Sequence, residues 1–81
     1  MNDETILKAI NAIAEEEERL WAAASEEGGL SEAERARLHE LQVQLDQSYD
    51  LLNQRRARRA AGLDPEGAEV RPPEIVEHYQ Q

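Results

Sequence analysis

Between Leu30 and Ala61 the chain has neither glycine nor proline, so this stretch can run as one unbroken helix. Leu38, Leu41, Leu45, Ser48 and Leu52 recur within it at intervals of three and four, the spacing of one helical face. Tyr49 and Leu51 flank that stripe. Ser31-Glu32-Ala33-Glu34 fits a capping box, with Ser31 as N-cap and Glu34 three positions on. Arg55-Arg56-Ala57-Arg58-Arg59 fills the last turns, and Gly62 is the stop. The spacing predicts a helix over about 32–61, roughly 45 Å long at 1.5 Å per residue.

A second helical pattern precedes it. Ile6, Ile10, Ile13, Leu20 and Ala24 form one stripe, and Leu7, Ala14 and Trp21 run beside it at intervals of seven. Asn2 or Asp3 can cap the start, and Asp3 and Glu4 complement the positive end of the helix dipole. Gly28-Gly29 ends the helix, which spans about 3–26 and roughly 36 Å. A turn as short as 27–30 makes the two helices antiparallel neighbours. Residues 1–62 therefore read as a helical hairpin.

Residues 63–81 form a proline-containing tail. Asp64-Pro65 suggests a cap and a short turn, and Arg71-Pro72-Pro73 is extended because a residue before proline avoids the helical region. A short helix over 73–79 would place Ile75, Val76 and Tyr79 on one side. The tail either serves as a recognition segment or folds back over the bundle.

Composition decides how such a hairpin can be stable. The 81 residues carry 18 acidic and 9 basic side chains, a net charge of −9. Leucine, isoleucine and valine number 16, close to the limit below which chains stay disordered, but 11 of them lie in the two helical segments. Ordering costs on the order of 1.5 kcal/mol per residue, and one thin seam cannot offset that. The apolar face is wider than a two-stranded coiled-coil seam needs. The expected fold is all-α: a hairpin of two long helices, dimerising into a four-helix bundle. A monomer closed over by the tail is the alternative. Core or dimer candidates are Ile6, Leu7, Ile10, Ile13, Leu20, Trp21, Leu38, Leu41, Leu45, Tyr49 and Leu52.

Several function classes are set aside by composition. No stretch approaches the roughly 18 apolar residues of a membrane span, and the acidic start, Met1-Asn2-Asp3-Glu4, lacks a signal-peptide pattern. The expectation is a cytoplasmic protein. Without cysteine there is neither a disulfide framework nor a thiolate metal site. The negative balance argues against nucleic acid or anionic membrane as whole-surface partners.

The arginine cluster is the most conspicuous charged feature. Residues 1–54 sum to −9, whereas the remaining 27 residues balance to zero. Arg55, Arg56, Arg58 and Arg59, with Arg71 and Tyr79 in the tail, are the partner-binding candidates. The structural reading competes. With Gly28-Gly29 as the turn, position i faces roughly position 58 − i, which sets Asp3 and Glu4 beside Arg55. Glu15 to Glu18 read as a solvated face, except that Glu17 continues the Ile10-Ile13 stripe. A carboxylate there must be paired or reach solvent, and an arginine of a second subunit is the candidate partner.

No catalytic or metal motif stands out. His39 and His78 lack the Glu-x-x-His spacing of di-metal bundles, and Glu74 with His78 is a weak i, i+4 pattern. Ser25, Ser31 and Ser48 have no base at a motif spacing. The expectation is no enzyme, no cofactor and no metal. What remains is a helical interaction or adaptor protein, acting as a homodimer with an unidentified protein partner. The first alternative is a nucleic-acid-associated regulator using Arg55 to Arg59 against phosphates, although no aromatics interleave with them. A metal-dependent helical enzyme is the second.

One resemblance extends over essentially the whole chain. Its segments are Met1-Asn2-Asp3-Glu4, Leu41-Gln42-Val43-Gln44-Leu45-Asp46-Gln47, Asp50-Leu51-Leu52, Gln54-Arg55-Arg56-Ala57-Arg58-Arg59, Ala61-Gly62-Leu63-Asp64-Pro65, Val70-Arg71-Pro72-Pro73-Glu74 and Val76-Glu77. In these it resembles a family of small, uncharacterised actinobacterial proteins classed as a domain of unknown function. Members often carry Cys-Trp where this chain has Ser48-Tyr49, and a histidine near Glu18. The resemblance implies a small stand-alone protein and brings no activity, ligand or catalytic residue with it.

Overall fold

In the computed structural model, residues 2–76 are described. Helix α1 spans Asp3–Glu27. Asn2 stands extended before it, and its side-chain oxygen accepts the Thr5 amide at 2.8 Å. The chain leaves α1 through Gly28, whose φ of 85° is left-handed and free of a Cβ clash. Gly29 then donates its amide to the Ala24 carbonyl at 2.8 Å, satisfying one of the open carbonyls at the helix end.

Helix α2 spans Glu32–Ala60 and opens on a complete capping box. Ser31 Oγ accepts the Glu34 amide at 3.1 Å, while Glu34 Oε1 accepts the Ser31 amide at 2.8 Å. Gly62, at φ 75°, turns the chain out of α2, and the Leu63 amide closes back on the Arg58 carbonyl at 2.8 Å. Both helices end within one residue of the expected positions. Among the described residues there is no strand, and α1 and α2 pack as an antiparallel hairpin.

The tail comes back along α2. Asp64 caps a single 3-10 turn, Pro65–Gly67, by accepting the Glu66 amide at 3.0 Å. An extended stretch leads to a short helix α3, Pro73–Val76, which packs on α2. The expected helix ran to 79, and positions 77–79, including Tyr79 and His78, lie outside the described residues.

The core is thin and divided along the hairpin. At the open end Ile6, Ile10, Leu51 and Leu52 form one cluster, with Leu45 and the tail's Ala68 packed against it. Toward the turn, Ala24, Leu38 and Leu41 are buried, and Val76 at the end of the tail's α3 is fully buried. Ile13 and Leu20 are half-buried. Leu51, which flanks the seam by periodicity, is as buried as Leu38 because it belongs to the cluster that the tail helps to close. The radius of gyration, 15.1 Å, exceeds the roughly 12 Å of a compact domain of this length. No helix among the described residues is long and apolar enough to cross a membrane.

Candidate interaction surface

Four of the six partner-binding candidates are engaged within the chain. Arg55 is nearly buried and donates from Nε to Asp3 Oδ1 at 2.6 Å. Its Nη1 reaches Glu66 Oε1 at 3.2 Å and the Pro65 carbonyl at 3.3 Å. Arg59 donates to both oxygens of Asp3, the shorter bond being 2.6 Å. Arg58 donates from Nε to the Asp64 carbonyl at 2.5 Å. The cluster thereby ties the start of α1, the end of α2 and the 3-10 turn into one knot. Hydrogen bonds from Arg59 and then Arg55 hold the Asp3 carboxyl at about 2, far below its ordinary value. Arg55 likewise lowers Glu66. Arg56 is exposed and makes no ion pair among the described residues.

Arg71, the fourth engaged candidate, latches the tail. It donates from Nε to Asp50 Oδ2 at 2.8 Å and from Nη2 to Asp50 Oδ1, a two-pronged pair on a carboxylate only 2% exposed. Gln54 Nε2 donates to Asp50 Oδ2 at 2.8 Å and to the Glu69 carbonyl at 2.7 Å, and Gln54 Oε1 accepts the Glu69 amide at 3.3 Å. Gln47 donates to the Arg71 carbonyl at 3.1 Å. The pair with Arg71 lowers the Asp50 carboxyl despite its burial. Asp50, Gln47 and Gln54 escaped the sequence reading. Their signal is a polar stripe at 47, 50 and 54 on the side of α2 away from the leucines.

The core and dimer candidates separate into two groups. Ile6, Ile10, Leu38, Leu41 and Leu52 are buried in the single chain, and Ile13, Leu20 and Leu45 are half-buried. Leu7, Trp21 and Tyr49 are exposed, at 44%, 52% and 44%. Helical geometry puts these three on one flank of the hairpin. At 100° per residue, Leu7, Ala14 and Trp21 lie roughly 60–90° round α1 from its buried row. On the adjoining flank of α2 the row reads Arg35, Gln42, Tyr49, Arg56, again at intervals of seven. Leu7 is level with Tyr49, Ala14 with Gln42, and Trp21 with Arg35, because each pair is centred on the same turn. A hollow lined by Trp21, Ala24, Ser25, Leu30 and Arg35 opens at the turn end of this face. At mid-height Glu17 Oε1 is buried without a hydrogen-bond partner.

The opposite flank is partly closed. Arg37 clasps Glu16 through Nε at 2.6 Å and Nη2 at 2.9 Å, and this pairing lowers the Glu16 carboxyl. Further along, Val70 of the tail borders a groove lined by Thr5, Ala9, Ile13, Gln44 and Leu51. No group of three or more His, Cys, Asp or Glu residues is placed to hold a metal ion among the described residues. Ser31 is occupied as a cap, and Ser48 donates its hydroxyl to the Gln44 carbonyl at 2.9 Å.

The family model of a protein of unknown function, DUF2630, matches residues 2–81. The chain belongs to the DUF2630 family. Uncharacterised proteins of Mycobacterium tuberculosis and Mycobacterium bovis are each 44% identical to it over 79 residues, covering 96% of this chain and 88% of theirs. No solved structure matches the chain. This DUF2630 hairpin has two unlike flanks: one partly covered by the tail and the Arg37–Glu16 clasp, the other carrying exposed apolar and charged side chains.

Proposed function

We propose that this protein is a non-enzymatic helical interaction protein that acts in the cytoplasm as a homodimer, its two hairpins joined through the Leu7–Trp21–Tyr49 flank. The observation that carries the reading is the asymmetry of the hairpin. Its three large exposed side chains of the helical part, Leu7, Trp21 and Tyr49, all fall on the flank that the tail leaves uncovered. Trp and Tyr are the residues most enriched where interfaces concentrate their binding energy. That flank is about 37 Å long and roughly 20 Å wide, on the order of 700 Å², close to the area each partner gives to a stable interface. Covering it also thickens a core that one chain leaves thin.

Nucleic-acid contact through Arg55 to Arg59 ranks second, because three of those four guanidiniums already hold carboxylates or carbonyls of the same chain. Sedimentation at several concentrations tests the first reading. The expected result is a dimer that Trp21→Lys converts to a folded monomer. A monomer at every concentration overturns it, and salt-sensitive RNA binding by such a monomer transfers the function to the arginines.

A further inference from the structure

Two hairpins can meet on this flank in two symmetric ways. With the two-fold axis along the helices, α1 of one copy lies on α2 of the other. With the axis across the helices, α1 lies on α1 and α2 on α2. Both bury the same apolar side chains, so hydrophobic area does not choose between them. Charge does.

Helix α1 carries eight acidic and two basic side chains, a net −6, whereas α2 carries five acidic and six basic, a net +1. Stacking α1 on α1 faces −6 with −6. The distribution on the flank sharpens this. Beside Leu7, Ala14 and Trp21, the outer row of α1 reads Glu4, Asn11, Glu18, Ser25, with acids and no base. The matching row of α2 begins with Arg35 and ends with Arg56. Neither arginine makes an ion pair within the described chain, and neither does Glu18; Glu4 touches only Lys8, 3.4 Å away and largely exposed.

We infer that the partner of this flank is a second copy with its α2 laid on α1, so that Arg35 of each chain pairs with Glu18 of the other and Arg56 with Glu4. This deepens the homodimer reading and rests on it. The axial offsets are ones the chain already uses. Arg37 reaches Glu16 within one hairpin, and Arg35 stands to Glu18 at the same combined height. Arg56 stands to Glu4 between the offsets of Arg55 and Arg59 to Asp3. In this register Arg35 of the second copy also lies over the Trp21 ring, which favours a guanidinium. Gln42 of the second copy comes level with Ala14 and Glu17, offering an amide N–H to the Glu17 oxygen that one chain leaves unpartnered. Tyr49 of the second copy covers Leu7. The partner helix thus answers the apolar, the charged and the orphaned polar features of the flank together.

The natural chain has no cysteine, so introduced thiols report geometry without background. Ala14→Cys and Gln42→Cys, both at exposed positions, are made as separate full-length chains and oxidised alone and as a mixture. The mixture is expected to give a disulfide-linked heterodimer, and each chain alone several-fold less. Efficient linking of Ala14→Cys to itself identifies the crosswise arrangement and overturns the inference while leaving the dimer intact. A dimer by mass in which neither pairing links places the interface on another face, with the same consequence. A monomer by mass removes the dimer reading itself, and this inference with it. Charge exchange supplies an independent readout. Arg35→Glu is expected to weaken the dimer about tenfold, through two symmetry-related pairs, and Arg35→Glu with Glu18→Arg to restore it. A double variant no tighter than the single one refutes the Arg35–Glu18 contact.

Discussion

Helix α2 is covered on two sides by different chemistry. Toward α1 it presents leucines, and Leu38, Leu41 and Leu52 disappear into a seam with no directional demand beyond fit. Toward the tail it presents Gln47, Asp50 and Gln54, which hold Glu69 and Arg71 by hydrogen bonds with fixed donor and acceptor, beside the apolar contacts of Ala68 and Val76. The apolar seam supplies the larger share of stability. What fixes the register of the two helices is the short turn between them and the Asp3 pairs with Arg55 and Arg59, not the leucines themselves. The polar latch supplies less stability, yet it fixes one position of the tail, because Asp50 finds its two-pronged partner only when Arg71 is opposite it. In a 9.2 kDa chain with eight buried apolar residues among those described, division between bulk burial and specific polar contact is what makes a short tail worth ordering.

The comparison breaks first at the seam. Leu41 is 1% exposed in the turn-side half of α2, and Leu41→Ala is expected to lose about 3 kcal/mol, within the range for such truncations. Small domains of this length hold only about 4–12 kcal/mol in total. Urea unfolding followed by helical circular dichroism measures the loss. Amide exchange should rise throughout both helices together, because the seam is shared. A loss under 1 kcal/mol would mean that the leucine row is not the main source of stability.

The latch should fail differently. Asp50→Asn keeps the shape but removes the charge that orients Arg71, at an expected cost of about 1–2 kcal/mol. Arg71 is partly solvated and rehydrates once released, which keeps the loss below that of a fully buried pair. Exchange should accelerate at the Glu69 amide, which Gln54 holds, well before it does in α1. If the tail amides keep their protection, the tail is held by Val76 and Ala68 rather than by the latch.

These two coverings were unequally legible in the sequence. The seam was legible because it repeats: Ile6, Ile10 and Ile13, and Leu38, Leu41, Leu45 and Leu52, recur at helical spacing whatever lies opposite. Capping was legible because Ser31 and Glu34 meet three residues apart. Counting outward from Gly28-Gly29 also set Asp3 beside Arg55, a pair 52 residues apart, since a short turn fixes the height of every residue on the partner helix. The latch followed no repeat. Asp50 and Arg71 are 21 residues apart across an extended segment of undetermined path, so neither periodicity nor turn counting could join them. Leu51 illustrates the same limit, for its burial depends on the tail's Ala68 as well as on α1.

The smallest effect belongs to the arginine knot, and pH isolates it. Asp3 titrates at about 2 when folded and near its ordinary value, 3.8, when unfolded. A carboxyl with a depressed folded pKa contributes stability that is fully present above the unfolded value and is lost as pH falls through the folded one. The contribution of Asp3 should therefore hold at neutral pH, decline from about pH 5, be small near pH 2 and be gone by about pH 1. Asp50, Glu16 and Glu66 are lowered in the same direction, so the whole chain loses stability on acidification. Asp3→Asn separates the one from the rest: its urea midpoint should lie slightly below that of the natural chain at pH 7 and close most of that gap by pH 2. Because Asp3 is partly exposed, added salt should narrow the gap at pH 7. Midpoints that stay parallel from pH 7 to pH 2 would show that Arg55 and Arg59 do not favour the charged Asp3, and the knot would then be a packing contact rather than an electrostatic one.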